Sequence, residues 1–317
     1  LFRSLAMLPW LGTDLHPWRR RALAEMDFPL HLGSFLQTPK IQMAITPDQF
    51  RFFLDSGAFS AWSRGTVIDL DEYCEFIRAN TELIEVYASL DVIPGVPGRA
   101  ATTTERDEAA EASWKNYLYM VNDGLSPLPV YHYGEDRRFL NRMLDYGCDY
   151  IGIGGLVGIP GHARRSWLDA VFTDITDAEG MPIVKTHGFG MTAVPLVFRY
   201  PWYSIDSTTW IKITASGSVY LPAMRAGEFV FDEVPMTVSV SDRNPKQSSD
   251  GKHAISMAPA MRAILERWLK FCGKTFEEVH TSYYHRATCN VMFFKMVSEA
   301  KGTRPFDRKA QRRGSLL

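Results

Sequence analysis

The stretch Tyr203-Ser204-Ile205-Asp206-Ser207-Thr208-Thr209-Trp210 decides the fold class. It is one of a series of short apolar runs that each end in a polar residue or a glycine. Such runs recur roughly every 20–40 residues, with helical patterns between them. This alternation predicts an α/β fold, a (β/α)8 TIM barrel whose active face lies at the carboxyl ends of its strands. The other runs are Phe52–Gly57, Tyr87–Asp91, Val130–His132, Ile151–Gly155 and Pro182–Gly188.

The 317 residues are expected to form one elaborated barrel domain, residues 1–317, rather than two separate cores. The barrel core is predicted over about residues 45–215. Before it lies a proline-containing segment, residues 1–48, which reads as irregular with one early strand. Helical patterns follow most of the strands. They cover Asp71–Asn80, Thr104–Asn122, Gly134–Tyr146, Arg165–Ala178 and Met191–Arg199.

The last third of the chain departs from the β-then-α alternation. Residues 216–252 predict a β-rich insertion, with a hairpin at Val230–Val240 and a flexible loop at Pro245–Gly251. A helical part over residues 253–302 follows, with helices expected at Ala258–Cys272 and Phe276–Ala300.

Composition excludes several classes of protein. Hydrophobic residues make up 46% of the chain, and no apolar run approaches the ~20 residues that span a bilayer. We therefore expect no membrane association, and we expect no secretory signal. The four cysteines form no close-spaced pair, which favours reduced thiols and a cytoplasmic location. The oligomeric state is left open, a homodimer included.

Cationic residues cluster locally although the net charge is only -1. The clusters are Arg19–Arg21, Arg164-Arg165 and a basic tail over residues 301–317. Local cations neutralise phosphates even in a neutral protein, so these clusters are candidates for contact with nucleic acid. Ordinary solvated surface and a solvated chain end explain them equally well.

Three aspartates, Asp55, Asp91 and Asp206, each follow an apolar run at a predicted strand end. A carboxylate placed there is partly desolvated, so its pKa and its nucleophilicity can be tuned. Each one alone could simply cap a helix or bind loop amides. Three such carboxylates at one edge of a barrel favour a catalytic role over a purely structural one.

Glycines and rings at other strand ends are weaker signals. Gly154-Gly155 lets a ligand approach the backbone closely, or forms a tight turn, and it is not a dinucleotide-binding fingerprint. Phe59 and Phe189, each near a glycine, are candidates for stacking on a purine, whereas Trp202 and Tyr131 are expected in the core. The sequence leaves His187 open between a polarising or phosphate-contacting role and a structural one.

Five short motifs, in this order, resemble those of the guanine transglycosylases, whose barrels exchange guanine in tRNA for a 7-deazaguanine base. The resemblance covers roughly residues 50–300. The variants Asp55–Trp62 and Ser204–Trp210 look most like the DpdA-like DNA 7-deazaguanine transglycosylases of phages and bacteria. The motifs are Asp55–Phe59, Ser89–Asp91, Ile153–Leu156, His187–Gly190 and Ile205–Ser207.

The resemblance implies a role for each matching residue. Asp206 matches the nucleophile that attacks C1′ of the sugar, and Asp55 matches the acid/base carboxylate. Asp91 matches the residue that binds the guanine edge, and Gly154-Gly155-Leu156 the segment whose backbone contacts the exocyclic carbonyl. Ser56, His132, Phe59 and Phe189 are expected beside the base, and His187, Arg164 and Arg165 beside the polymer. Displacement at an anomeric carbon independently suits a pair of carboxylates.

The chain also departs from the tRNA enzymes. The cysteine cluster of their structural zinc site is missing, so we expect no metal and no cofactor. Cys272, His280, His285 and Cys289 are the residues that could still gather around a metal. His132 and Ser60 stand where the tRNA enzymes carry glutamine, which leaves the identity of the incoming base open.

These observations predict an enzyme that replaces guanine in DNA with a base of the 7-cyano-7-deazaguanine type, through a covalent aspartyl–sugar intermediate. Its partners would be DNA and the free base. One alternative keeps the chemistry and acts on tRNA. A second is a non-catalytic barrel subunit that binds nucleic acid, which is disfavoured because Asp206 and Asp55 are both present. A third is a hydrolase or lyase with paired aspartates.

Overall fold

A computed structural model describes residues 7–12, 16–37, 50–244, 253–302 and 304–307. Its centre is a sheet of eight strands in the order β4-β3-β2-β1-β8-β7-β6-β5, and every pair of neighbours is parallel. The predicted α/β class is confirmed. The strands are β1 Leu8–Gly12, β2 Leu30–Ser34, β3 Arg51–Asp55, β4 Ile84–Tyr87, β5 Val130–His132, β6 Tyr150–Gly154, β7 Lys185–Gly188 and β8 Ser204–Ser207.

Helices alternate with these strands, as parallel connections require. Several begin at a residue whose side chain caps the first turn: Asp69, Asp136 and Thr102, which forms a reciprocal capping box with Glu105. The starts of these three helices were predicted to within three residues. The helices are α1 Pro17–Glu25, α2 Ala58–Arg64, α3 Leu70–Ala79, α4 Thr103–Asn122, α5 Arg137–Tyr146, α6 Gly161–Asp174, α7 Val194–Arg199 and α8 Thr209–Ala215.

Strand register brings the polar strand ends together. In the paired strands, Asp55 lies opposite Ser34, His132 opposite Gly154, and Asp206 opposite Trp10. Because all strands run in the same direction, their carboxyl ends share one edge of the sheet. The sequence patterns therefore converge at that edge.

β4 and β5 stand at the two ends of the strand order. The residues just after β4 are nevertheless linked to the residues just before β5. Leu128 pairs with Ala88 as a parallel bridge. The N–H of Ser89 donates to Leu128 O, and the N–H of Leu128 donates to Tyr87 O, both at 2.8 Å. Backbone hydrogen bonds therefore connect the first and last strands of the order.

The prediction for residues 1–48 is wrong in part, because this segment supplies two strands and a helix of the central fold. β1 and β2 occupy the middle of the strand order, so the core begins at Leu8 rather than near residue 45. Pro9 within β1 obscured the strand, since proline cannot donate to a ladder and argues against a central strand. Residues 38–49 lie outside the described part of the chain.

The β-rich insertion is confirmed, but its hairpin was misplaced. β10 (Ala223–Arg225) pairs with β11 (Glu228–Val230), and β9 (Ser218–Leu221) pairs with β12 (Met236–Ser239). The turn between β10 and β11 contains Ala226 and Gly227, both at positive φ, which is the geometry of a tight hairpin turn. The predicted hairpin Val230–Val240 thus spans the end of β11 and all of β12, which pair with β10 and β9 respectively. The loop predicted at Pro245–Gly251 lies outside the described residues.

Three helices close the chain: α9 Pro259–Phe271, α10 Phe276–Thr281 and α11 Tyr283–Lys301. The single helix predicted over Phe276–Ala300 is therefore two, separated at Ser282, whose backbone is extended. α11 is fastened to the insertion by the buried side chain of Asn290, which accepts from Tyr220 N and donates to Thr214 Oγ1 and Ser218 O. Of the helices in the described ranges, none is long and apolar enough to cross a membrane.

The chain after α11 packs back onto the body of the protein. Phe306 is 3% exposed and contacts the rings of Phe172 and Tyr200. Its N–H donates to Gly180 O at 2.8 Å. A Cβ on Gly180, which has φ +81°, would lie 2.3 Å from Phe306 O. Gly180 therefore serves as the docking point for the start of the basic tail.

We expect Gly180→Ala to destabilise the protein by about 2–4 kcal/mol, because it adds a backbone collision to the strain of positive φ. Gly147→Ala is the matched control, since Gly147 has φ +90° with open space around it. That variant should lose only about 1 kcal/mol. Urea denaturation of both measures the difference. Equal losses would contradict docking of Phe306 on Gly180.

Candidate active site

Two adjoining cavities lie at the carboxyl edge of the sheet. The first, about 430 Å³, is lined by Asp55, Asp91, His132 and Gly155 among largely apolar neighbours. A cavity of that size accommodates a small ligand such as a purine. The second, about 690 Å³, is lined by Asp206 and by residues of the N-terminal segment. Residues common to both walls are Asp55, Phe189 and Gly190.

Asp206 projects from β8 into the second cavity. Its Oδ1 accepts a hydrogen bond from the N–H of Gly190 at 2.6 Å and lies 3.4 Å from Nε2 of His187. The N–H fixes one oxygen, and such charge-assisted bonds are short and strong. The hydrogen bond therefore restrains the carboxylate at the cavity wall.

Asp55 ends β3 and belongs to both cavities. Burial raises the pKa of this carboxyl to about 7, with further increases from the charges of Asp91 and Asp206 and an opposing hydrogen bond from the backbone of Gly57. A carboxyl that titrates near neutrality can donate a proton in one step and accept one in the next. The acid/base role predicted for Asp55 is chemically suited to this position.

Asp91 lies in the loop after β4 and is held by two donors. Ser56 Oγ donates to Oδ1 at 2.9 Å, and Nε2 of His132 lies 2.8 Å from Oδ2. The opposite ring nitrogen of His132 lies 3.0 Å from Oε1 of Glu135. Ser56, Asp91 and His132, each predicted separately, are thus joined in one network, and Glu135 is a member that the sequence did not reveal.

The Gly154-Gly155-Leu156 segment passes from β6 along the first cavity. Gly154 accepts from Tyr133 N, and a Cβ on Gly154 would approach the His132 ring to 3.1 Å. Gly155 is exposed, has φ +70°, and its N–H donates to no acceptor in the described ranges. The segment thus offers a backbone donor to a ligand carbonyl, while Leu156 is buried beneath it.

Rings flank the first cavity. Phe59 is 55% exposed, near Trp62, and both line its wall. Phe189 is partly buried, with its ring 5.9 Å from that of Phe53. Tyr131 and Trp202 are buried in the core, as predicted. Phe59 and Phe189 are therefore placed where a planar base could stack.

His187 does not contact the polymer, contrary to the prediction, because its side chain is 0% exposed. It lies inside the sheet between the rings of Phe53 and Phe189. Its Nδ1 is 2.6 Å from Ser204 Oγ, and burial lowers its pKa against the opposing effect of Asp206. His187 supports Asp206 from behind instead.

Cations are distributed differently from the sequence expectation. Arg164 and Arg165 lie near the start of α6 and are not among the residues lining either cavity. Arg106, from α4, lines the first cavity, and Arg19, from α1, lines the second. Arg106 lies outside the sequence motifs and was therefore not predicted as a site residue. Residues 308–317 of the basic tail lie outside the described ranges.

The possible metal ligands do not converge. Across the described residues, no three His, Cys, Asp or Glu side chains are grouped to hold one metal ion. Cys272 and Cys289 are buried and hydrogen-bond to each other, while Nδ1 of His280 lies 2.7 Å from Val240 O. His285 lies one turn before Cys289 on α11. Burial of both thiols in the hydrophobic core accounts for the cysteines, and the absence of zinc stays a prediction.

Asp55→Asn should stabilise the protein, and more so at high pH. Because folding raises the pKa of Asp55, this group stabilises the fold fully at pH values below its unfolded pKa of 3.8. That stabilisation is lost as the pH rises through the folded pKa of about 7. The gain in unfolding free energy should be about 1–3 kcal/mol larger at pH 8 than at pH 5. Urea denaturation at both values measures it, with exposed Asp145→Asn as control. A gain independent of pH would contradict the raised pKa.

Neither a scan against models of protein families nor a search of curated proteins found a match to this chain. The functional argument therefore depends on the cavities and on the groups around them. Two cavities meet at one carboxyl group, Asp55, with a fixed carboxylate, Asp206, on one side and an Asp91–His132 pair on the other.

Proposed function

We propose that this protein is a guanine transglycosylase that exchanges guanine in DNA for a free 7-deazaguanine base. The observation that carries the proposal is the pair of adjoining cavities that share Asp55. The smaller cavity suits a purine-like base, and the larger suits the sugar to which it is attached. The bond between sugar and base would then cross the boundary where Asp55 and Phe189 lie.

The proposal includes closure of the sheet into a (β/α)8 barrel. The bridge between Ala88 and Leu128, which links the end strands of the order, supports it. So does the uniformly parallel pairing with helices between the strands. In such barrels the active site occupies the carboxyl edge, where both cavities lie.

In the first half-reaction, a carboxylate oxygen of Asp206 attacks C1′ of the nucleotide. The C1′–O bond forms while the C1′–N9 bond breaks, and its electron pair leaves with guanine. Protonated Asp55 donates its proton to the departing base. Its pKa of about 7 provides a substantial protonated fraction at neutral pH. The DNA is then held covalently on Asp206.

The second half-reaction reverses these roles. The incoming base enters the smaller cavity and loses its N9 proton to the Asp55 carboxylate. N9 attacks C1′, the bond to Asp206 breaks, and the electron pair returns to the carboxylate. Asp55 is again protonated, so the cycle balances without a cofactor. The N–H of Gly190 and neighbouring His187 stabilise the charge that Asp206 regains.

Base selection follows from donors and acceptors around the smaller cavity. A guanine-type edge presents N1–H and an amino group, which donate to a carboxylate such as Asp91. Its carbonyl accepts from a backbone N–H, which Gly155 offers in the wall of the same cavity. Phe59 and Phe189 are placed to stack on the ring. A 7-deazaguanine shares this edge, so one pocket accommodates both leaving and incoming bases.

DNA is proposed over tRNA because the Asp55–Trp62 and Ser204–Trp210 motifs resemble those of the enzymes acting on DNA. The guanine must leave the stacked duplex to reach the cavity, at a cost of a few kcal/mol. Phosphate contacts offset such a cost. Arg19, at the wall of the larger cavity, is placed to contribute one.

Asp206→Asn should abolish base exchange, by at least ~1000-fold, because an amide cannot form the ester to C1′. Incorporation of labelled guanine into DNA measures it, and DNA binding should change less than about two-fold. Asp145→Asn, an exposed change on α5, is the control. Exchange near the wild-type rate, or a trapped sugar adduct on another residue, would overturn the assignment.

The polymer is tested by offering duplex DNA and tRNA with a labelled 7-deazaguanine base, and we expect the label in DNA. Removal of residues 308–317 should weaken DNA binding and flatten its salt dependence, since each lost phosphate contact lowers the slope by ~0.9. The truncation leaves Phe306 in place. A cut after Ala300 would also remove this buried ring and so disturb the core. Label in tRNA alone would exclude DNA, and unchanged binding would exclude a role for the tail.

A further inference from the structure

We propose that Glu135 is a positioning residue for base recognition. It keeps both ring nitrogens of His132 protonated, so that His132 acts only as a donor and fixes Asp91 as the acceptor for a guanine-type edge. This inference rests on the proposed function for the identity of the ligand, but the contacts that carry it are independent of any reaction.

The contacts form a continuous chain from a buried carboxylate to the cavity wall. Oε1 of Glu135 lies 3.0 Å from Nδ1 of His132, and Nε2 of His132 lies 2.8 Å from Oδ2 of Asp91. Oε2 of Glu135 also accepts from His132 N at 3.1 Å. Glu135 is only 7% exposed. Glu135 therefore contacts both the backbone and the ring of His132, and it is not among the residues that line the cavity.

A histidine between two carboxylates must donate from both nitrogens. A neutral imidazole has one donor and one acceptor nitrogen, so one of its lone pairs would face a carboxylate oxygen. Burial lowers the pKa of His132, but the charge of Glu135 and hydrogen bonds to Asp91 and Glu135 raise it more, to about 10. The doubly protonated ring is thus the form that this geometry accommodates.

Other charged groups around His132 do not replace Glu135. Asp55 and Arg106 line the same cavity, from β3 and α4. Arg106 lies against the turn after β5, where a Cβ on Gly134 would be 3.3 Å from its Nε. Within the described part of the chain, neither forms a hydrogen bond or an ion pair with the ring. The carboxylates of Glu135 and Asp91 at the ring nitrogens therefore determine the protonation of His132.

The consequence lies at Asp91. Ser56 donates to one of its oxygens and His132 to the other, so the carboxyl plane cannot rotate freely. Each oxygen keeps a lone pair for one further donor. Two neighbouring donors, the N1–H and amino group of a guanine-type base, satisfy both. An adenine-type edge, with an acceptor at N1, does not.

The test uses Glu135→Gln, which is nearly isosteric and removes the charge, with exposed Glu108→Gln as the matched control. Nitrogen NMR of labelled histidine reports the protonation of His132 during a pH titration. Wild type and the control should keep both protons through pH 9. In Glu135→Gln, the loss of one proton should move to lower pH by about one unit or more.

Calorimetric binding of free guanine, which needs no exchange, supplies the second measurement. Glu135→Gln should bind guanine close to wild-type affinity at pH 6, where Asp91 still keeps His132 protonated. At pH 9 its dissociation constant should be about ten-fold higher than that of wild type. A merely structural role would weaken binding equally at both pH values, and that result would overturn the proposal.

Two further outcomes separate this inference from the proposed function. A wild-type His132 that carries one ring proton at pH 8 would overturn the inference, whatever the enzyme does. This holds even if Glu135→Gln failed to fold, since it needs only the wild type. Protein that binds guanine with the expected pH dependence but transfers no base to DNA or tRNA would refute the function and support the inference.

Discussion

The crowding of three carboxyl groups at one edge of the sheet is the constraint on which the site depends. Asp55, Asp91 and Asp206 are brought together by parallel register, and burial in each other's field is unfavourable unless each is compensated. Asp206 has the N–H of Gly190, and Asp91 has Ser56 and His132. Within the described ranges, Asp55 accepts only from the backbone of Gly57 and has no neighbouring ring such as the one His187 places beside Asp206. The least compensated carboxyl is therefore the one that holds its proton near neutrality.

In the proposed reaction, this unequal compensation suits each carboxyl group to a different role. A group fixed by an N–H donor is suited to attack carbon, and one held between two donors is suited to bind a base edge. A carboxyl with a pKa of about 7 is suited to move a proton in both directions. The positions of the two cavities follow the same division, since Asp55 alone among the three lines both.

The sequence predicted the parts of this arrangement that a strand carries to its end. Asp55, His132 and Gly154 terminate regular strands, and their apolar runs are long enough to recognise. Glu135 was missed because a carboxylate in a turn has no pattern, and only three-dimensional contact shows that it reaches back to His132. His187 was assigned to the polymer because a motif marks its position along the chain but not the face on which its side chain lies.

The N-terminal segment shows why polymer choice is harder to infer than base chemistry. The sequence read residues 1–48 as irregular, yet Gly12, Arg19 and Ser34 form much of the wall of the larger cavity. The smaller cavity is lined by residues at and after the ends of β3, β5 and β6 and, in the largest number, by the segment from Ala88 to Arg106 after β4. In the proposed reaction, motif residues surround the base and the reacting carbon of the sugar, while the N-terminal part of the larger cavity's wall carries no recognised motif. DNA and RNA share the guanine but differ at the 2′-hydroxyl, so the proposed selectivity between them would depend on contacts at that wall.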